Sequence, residues 1–189
     1  MPDPLQHRDA NHAVHDLFVR RHSPRKFTGE AVSEADTLKL FEAARWAPST
    51  YNEQEWRFCY ARRDTEHWPT FLGLLVEANR EWAKDTGLLA FVLSRTTFVK
   101  NGKPNLVHVF DAGAAVQNLA LQATQMGLCA HAMGGIDRHG AIDQLNVPDG
   151  FDVHCAVAVG RPDPSDEATP TGRKPLDAIA REGLFTFSE

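Results

Sequence analysis

A cluster of cations lies close to the amino terminus, in the run Arg20-Arg21-His22-Ser23-Pro24-Arg25-Lys26. Guanidinium groups and a serine hydroxyl are side chains that bind a phosphate monoester, because they donate charge-assisted hydrogen bonds to its oxygens. A solvated basic face that offsets the dipole of a preceding helix explains the same residues. The spacing alone leaves both interpretations open.

A second polar stretch, residues 48–54, joins a predicted helix to a predicted strand with the sequence Pro-Ser-Thr-Tyr-Asn-Glu-Gln. Short hydroxyl and amide side chains in such loops commonly bind ligands. They also hydrogen-bond to their own backbone in ordinary capping turns. This loop is therefore a candidate binding segment with an equally simple structural explanation.

Several motifs that carry chemistry do not occur in the sequence. It contains no G-x-G-x-x-G, no P-loop, no G-x-S-x-G and no H-E-x-x-H, which removes Rossmann, P-loop and serine-hydrolase interpretations. The nine His are scattered without partners at ligand spacing, so we predict no metal site. The three Cys form neither a C-x-x-C pair nor a disulfide framework.

The composition is that of one globular domain. The chain has 189 residues, of which 42% are hydrophobic and 24% charged, with a formal net charge of −5. This balance gives no support to a nucleic-acid partner. No run approaches the ~20 apolar residues of a membrane span, and the start lacks the pattern of a signal peptide. We therefore expect a cytoplasmic protein without a membrane partner.

Hydrophobic periodicity predicts helices that alternate with strands. Helices are predicted over residues 10–21, 33–47, 68–84 and 106–126, and around Ile142 and Leu145; strands are predicted over 56–62, 88–93, 151–160 and a short segment ending at Met133. The helix at 106–126 is dense in small residues, which is typical of a helix packed on most sides. Residues 161–175 hold four prolines and predict an extended arm. These elements favour an α/β or α+β domain.

Five segments, in order along the chain, resemble the FMN-dependent nitroreductase family. They are residues 20–27 (RRHSPRKF), 47–58 (APSTYNEQEWRF), 111–128 (DAGAAVQNL through Gly127-Leu128), 133–137 (MGGID), and the pair 159–162 (VGRP) and 173–176 (RKPL). The resemblance implies an α+β fold with a central mixed, mainly antiparallel sheet flanked by helices, assembled as an intertwined homodimer. Residues 1–189 would form a single FMN-binding domain, with 161–189 a C-terminal arm that docks on the partner subunit.

The resemblance also implies where FMN binds. It places Arg21, Ser23 and Arg173 at the phosphate, Arg25 near the ribityl chain and the pyrimidine edge of the ring, and His22 in the same loop. The remaining cofactor-binding residues are Pro48, Ser49, Thr50 and Asn52 in a loop from the partner subunit, and Met133, Gly134 and Gly135 at the turn that faces flavin N5. Two positions depart from the family pattern: Glu55 stands where many members have Pro, and Gly134 where some have an acidic residue.

The implied function is an FMN-dependent oxidoreductase. It would take hydride from NADH or NADPH and reduce a small-molecule acceptor, such as a nitroaromatic or a quinone, by a ping-pong mechanism. Two alternatives remain open: another flavin enzyme on this scaffold, such as a reductive dehalogenase or a dehydrogenase, and a non-catalytic FMN carrier or sensor. No catalytic residue is assigned, because solvent can supply protons to the reduced acceptor.

Overall fold

A computed structural model describes residues 1–185 of the chain. The helices are α1 (Asp16–Arg20), α2 (Glu34–Arg45), α3 (Trp68–Gly73), α4 (Glu77–Ala83), α5 (His108–Gln125) and α6 (Arg138–Gln144). The strands are β1 (Trp56–Arg62), β2 (Leu88–Arg95), β3 (Cys129–Met133) and β4 (Phe151–Gly160), and three short 3₁₀ turns occur at Pro4–Gln6, Thr50–Asn52 and Leu176–Ala178.

The four strands form one sheet in the order β1-β2-β4-β3, and every described pairing is antiparallel. Helices cover both faces of the sheet. Alternate residues of a strand point to opposite sides, so each face has apolar side chains that pack against helices. Leu88 and Val92 of β2 pack with α2 and α5, whereas Leu89 and Phe91 pack with α3, α4 and α6. The predicted α+β fold with a mainly antiparallel sheet flanked by helices is confirmed.

The predicted helix over residues 68–84 is wrong, because the chain breaks into α3 and α4 at residues 74–76. Leu75 forms an antiparallel bridge with Ile136, and the Val76 amide donates to the Gly135 carbonyl at 3.1 Å. These pairings require an extended backbone, and Val76 has ψ of 153°. Tertiary hydrogen bonds therefore override the helical periodicity of the segment.

The predicted helix over residues 10–21 is also too long. Only Asp16–Arg20 is helical, and His15 caps it by accepting the Leu17 amide at Nδ1. Val14 and Phe18, which are apolar and four residues apart, are both exposed. A helix with no apolar surface to pack against gains too little to offset the cost of nucleation.

Helix α5 buries one side only within the subunit. Asp111, Ala112, Ala115 and Leu119 lie inward, while Val109 and Phe110 are exposed. The expectation of a helix packed on most sides is therefore not met by the subunit alone. Of the part of the chain described, no helix is long and apolar enough to cross a bilayer.

Candidate functional site: a cation-lined cavity

The cations predicted to bind phosphate line a single cavity of about 610 Å³. Its wall comes from both ends of the chain, because the residues after α1 face the extended arm. His22 and Ser23 also line the cavity, and Asp166 is the acidic residue of the wall. The positively charged residues around it are Arg8, Arg21, Arg25, Lys26 and Arg173.

Arg8 holds the two sides of the cavity together. Its guanidinium donates to the carbonyl oxygens of Val19 (2.7 Å) and Arg21 (2.9 Å) at the end of α1, and to that of Thr171 (2.9 Å) in the arm. Carbonyl groups at a helix C-terminus lack intrahelical donors, so a cation there stabilises the helix end. Sequence analysis did not select Arg8, since no motif marks it.

The electrostatics of the cavity favour an anion. Burial, followed by repulsion from Arg173, lowers the pKa of both Arg8 and Arg21. A guanidinium stays charged even after such a shift, so Arg8 and Arg21 remain cations; burial is the main cause of their lowered pKa values, and the nearby charge of Arg173 is the second. Arg21 Nη1 donates to Ser23 Oγ at 3.2 Å, which leaves the Ser23 hydroxyl hydrogen available for an acceptor. A phosphate with two negative charges relieves this repulsion.

His22 contributes a neutral ring. It is buried, its Nδ1 lies 2.9 Å from the Arg20 carbonyl, and its Nε2 lies 3.9 Å from Cys129 Sγ. Because a carbonyl only accepts, Nδ1 carries the hydrogen. Burial lowers the pKa of His22, and it raises the pKa of the Cys129 thiol to about 12. Neither group therefore adds a charge to the cavity at neutral pH.

His131 is a cavity residue that sequence analysis missed. Its Nδ1 donates to the Pro24 carbonyl at 2.8 Å, and its ring lies 4.6 Å from that of Trp82. Burial, opposed by the Pro24 hydrogen bond and reinforced by Arg25, lowers its pKa. The strand alternation of β3 would have found it, because His131 shares a face with Met133, which was selected.

The loop predicted to come from the partner subunit lies apart from the cavity and has a strained backbone. Tyr51, Asn52 and Gln54 have φ of 56°, 57° and 51°. These values lie in the left-handed region, which residues other than glycine adopt at a cost in free energy. The Thr50 amide donates to Asp111 Oδ2 at 2.8 Å, and the Gln54 amide donates to Ser49 Oγ at 3.0 Å. Surrounding contacts therefore hold the loop in this shape.

The predicted glycine turn follows β3. Gly134 is exposed, and a Cβ added to it would meet nothing within 4 Å. Gly135 is different, because its carbonyl accepts from the Val76 amide and from Asn79 Nδ2 at 2.9 Å. A Cβ on Gly135 would lie 2.6 Å from Asn79 Nδ2. The close approach that requires glycine here is therefore to α4.

The twelve predicted cofactor residues thus fall into three groups within one subunit. Five of them line the cavity: Arg21, His22, Ser23, Arg25 and Arg173. The others lie in the loop (Pro48, Ser49, Thr50, Asn52) and at the turn (Met133, Gly134, Gly135). Across residues 1–185 the structure has no group of three or more His, Cys, Asp or Glu placed to hold a metal ion.

Comparison with protein-family models decides the family. The model of the nitroreductase family matches residues 19–161, about three quarters of the chain. The chain belongs to the nitroreductase family. The predicted family is confirmed, and the match includes the cation cluster, the polar loop and the glycine turn.

Nitroreductase-family relatives share this fold along nearly the whole chain. A solved structure described as an oxidoreductase containing FMN has a TM-score of 0.91 and 42% identity, covering 96% of this chain and 97% of that one. A candidate nitroreductase from Desulfovibrio desulfuricans, solved in complex with FMN, has a TM-score of 0.73 and 27% identity, with 90% and 96% covered. A candidate NADH dehydrogenase/NAD(P)H nitroreductase of Archaeoglobus fulgidus is 28% identical over 171 residues, which is 88% of this chain and 95% of that protein.

Proposed function

We propose that this protein takes hydride from NADH or NADPH and reduces nitroaromatic, quinone or similar small-molecule acceptors by a ping-pong mechanism. The broader class, an FMN-dependent NAD(P)H oxidoreductase, is confirmed by the family match and by the FMN-containing relative that is 42% identical. The observation that carries the proposal is the cavity that Arg8, Arg21, Ser23 and Arg173 line together.

The residues of the cavity fit the phosphate end of FMN. Arg21, Ser23 and Arg173 supply two cations and a hydroxyl, which is the donor set that a phosphate monoester needs. Arg25 is exposed on the same wall, and we assign it to the pyrimidine edge of the ring. There its charge would favour the reduced flavin, which carries more negative charge than the oxidised form.

The loop at residues 48–52 and the turn at 133–135 would complete the ring site. When bound, FMN supplies the redox chemistry, namely hydride acceptance from the nicotinamide and transfer of two electrons to the acceptor. The chain would bind and orient it, with the backbone of Gly134 and Gly135 facing the N5 side. Protons for the reduced acceptor come from solvent, so no side chain is assigned as a catalytic acid.

We further propose a homodimer in which the loop of one subunit meets the cavity of the other. Val109 and Phe110 of α5, together with Leu184 and Phe185 of the arm, are exposed in the subunit, three of them by more than three quarters. Apolar surface of this kind is characteristic of subunit interfaces. Residues 161–189 would dock on the partner, although the first part of the arm also bonds its own subunit, as in the Asp163 amide to the Lys26 carbonyl at 3.0 Å.

The decisive experiment for the function is cofactor release followed by turnover. The purified protein should be yellow and should release FMN on acid treatment. It should then oxidise NADH or NADPH with menadione or nitrofurazone as acceptor. A colourless protein that ignores added FMN would overturn the proposal, and bound FMN without turnover would favour a carrier or sensor.

The assembly has its own test, deletion of residues 176–189. The shortened chain should lose dimerisation and bind FMN weakly, as measured by light scattering and by flavin titration. The full-length chain at the same concentration is the control. A shortened protein that remains dimeric and fully flavinated would refute the docking of the arm.

A further inference from the structure

A pair of acidic side chains, Glu55 and Asp111, is buried together beneath the strained loop. Glu55 is 2% exposed and Asp111 4% exposed, and the two side chains lie in hydrogen-bonding contact. Glu55 precedes β1 by one residue, and Asp111 belongs to the first turn of α5. Ionised carboxylates are almost never fully buried without a partner.

The donors available to this pair are too few for two carboxylates. Glu55 Oε1 accepts from Asn105 Nδ2 at 2.6 Å, and Asp111 Oδ2 accepts from the Thr50 amide at 2.8 Å. Glu55 Oε2 is buried and has no donor. Among the residues described, no Lys, Arg or His forms an ion pair with either carboxylate. The charged group that faces Glu55 is Asp111 itself, across from the neutral Asn105 amide.

One proton resolves this shortage. If Glu55 Oε2 is protonated, it becomes a donor to the Asp111 carboxylate, and the pair carries a single negative charge. Burial is the largest cause that raises the pKa of Glu55, and the neighbouring Asp111 raises it further, while a backbone hydrogen bond and the Asn105 hydrogen bond oppose the shift. The net direction is the one that this arrangement requires. Asp111 then remains an anion, which is the stronger acceptor for the Thr50 amide.

We propose that Glu55 keeps a proton on Oε2 and through it donates a hydrogen bond to the Asp111 carboxylate. Glu55 thereby serves as a positioning residue for the loop at residues 49–54. The loop needs such an anchor because Tyr51, Asn52 and Gln54 all lie in the left-handed region, and such residues persist only where their surroundings fix them. Asn105 ties the pair to α5 as well, since its Oδ1 accepts the Val107 amide at 3.2 Å.

The consequence for the cofactor rests on the proposed function, in which this loop contacts FMN. Removal of the proton at high pH places two anions in one buried site, so the contact between Glu55 and Asp111 is lost and Thr50 loses a fixed anchor. FMN would then bind the protonated form of the pair more tightly. By linkage, the FMN dissociation constant rises up to tenfold per pH unit above the folded-state pKa of Glu55.

Two variants separate the proton from the shape of the side chain. Glu55→Gln keeps both contacts, since its amide donates to Asp111 and its carbonyl accepts from Asn105, but it cannot titrate. Asp111→Asn also accepts the Thr50 amide and donates to Glu55, which allows Glu55 to ionise. Infrared spectra of the full-length protein, recorded over roughly pH 5 to 9, should show a protonated carboxylic acid band that is absent from both variants and that fades as the pH is raised.

The FMN dissociation constant is then measured by fluorescence titration over the same pH range. FMN binding by the wild type should weaken with rising pH more steeply than FMN binding by Glu55→Gln or Asp111→Asn. The difference in FMN affinity between the two variants should not change with pH. An identical infrared band in wild type and Glu55→Gln would overturn the proton assignment. A lost band with unchanged pH dependence would overturn the positioning role. A protein that binds no FMN at any pH would refute the proposed function, while the band would still decide the state of Glu55.

Discussion

Alanine at Gly135 should destabilise the fold, although this turn was selected for its place beside the flavin. The added Cβ would lie 2.6 Å from Asn79 Nδ2 and 2.8 Å from Val76 Cγ2, both closer than real contacts allow. Relief requires the Asn79 side chain to rotate away or α4 to shift, and either change weakens the hydrogen bond from Asn79 Nδ2 to the Gly135 carbonyl (2.9 Å). Such overpacking costs about 1–3 kcal/mol, a decrease in Tm of roughly 2–12 °C for a chain of this size.

Gly134→Ala is the matched control, because its Cβ would meet nothing within 4 Å and its φ is not in the left-handed region. Its free energy of unfolding should stay within about 0.5 kcal/mol of the wild type. Urea unfolding at fixed protein and saturating FMN concentration measures both variants. Adding Asn79→Ala should recover part of the loss in Gly135→Ala, since it removes the nearest clashing atom. Equal stability of the two alanine variants would refute this reasoning.

Three further predictions concern individual side chains. Arg21→Ala and Arg173→Ala should each weaken FMN binding roughly ten- to hundredfold, because each removes a charge-assisted contact of ~1.5–3 kcal/mol. Riboflavin binding should not change, and Lys39→Ala, at an exposed lysine, is the control. Wild-type FMN affinity in both variants would show that the cations are a solvated face. Arg25→Gln should lower the flavin midpoint potential by roughly 20–40 mV, whereas Arg25→Lys, which keeps the positive charge, should stay close to the wild-type potential. Spectroelectrochemical titration of FMN-saturated protein measures both variants. Equal potentials in all three forms would show that Arg25 does not contact the ring. Burial lowers the pKa of His154, so the free energy of unfolding should decrease as the pH is lowered below about 6.5, and by a smaller amount in His154→Gln. Urea unfolding over this pH range measures both proteins. An equal decrease in the two would exclude His154 as a source of the pH dependence.

Local patterns predicted the strands well, because their alternation is imposed by the sheet itself. The bounds of β1 and β4, residues 56–62 and 151–160, are those that the sequence indicates. The predicted helix over residues 33–47 also begins where the sequence indicates, because Ser33 Oγ accepts the Asp36 amide at 3.1 Å and caps α2. For α2 the deciding hydrogen bond lies within three residues of the signal, whereas the strands pair with distant segments and only their residue pattern is local.

Interactions between distant segments could not be predicted in this way. The break between α3 and α4 depends on Gly135 and Ile136, some 60 residues further along the chain. The contact of Glu55 with Asp111 likewise joins the residue before β1 to α5, and no spacing in the sequence indicates it. Arg8 reaches the arm across 163 residues. The cation cluster was visible because its members are adjacent, whereas the partners that give it a shape are not.

The wall of the cavity, built from residues 8–26 and 166–173, makes the two ends of the chain depend on each other. Bringing these segments together closes a loop of nearly the whole chain, which costs conformational entropy. In the proposed binding mode, an anion held by Arg21 and Arg173 would link the amino-terminal segment to the carboxyl-terminal one. At a hundredfold excess over its dissociation constant, such a ligand adds about 2.7 kcal/mol to the folded state. The cofactor would then stabilise the contact between the two terminal segments as well as supply the redox chemistry. Dissociation of the cofactor would destabilise both segments together.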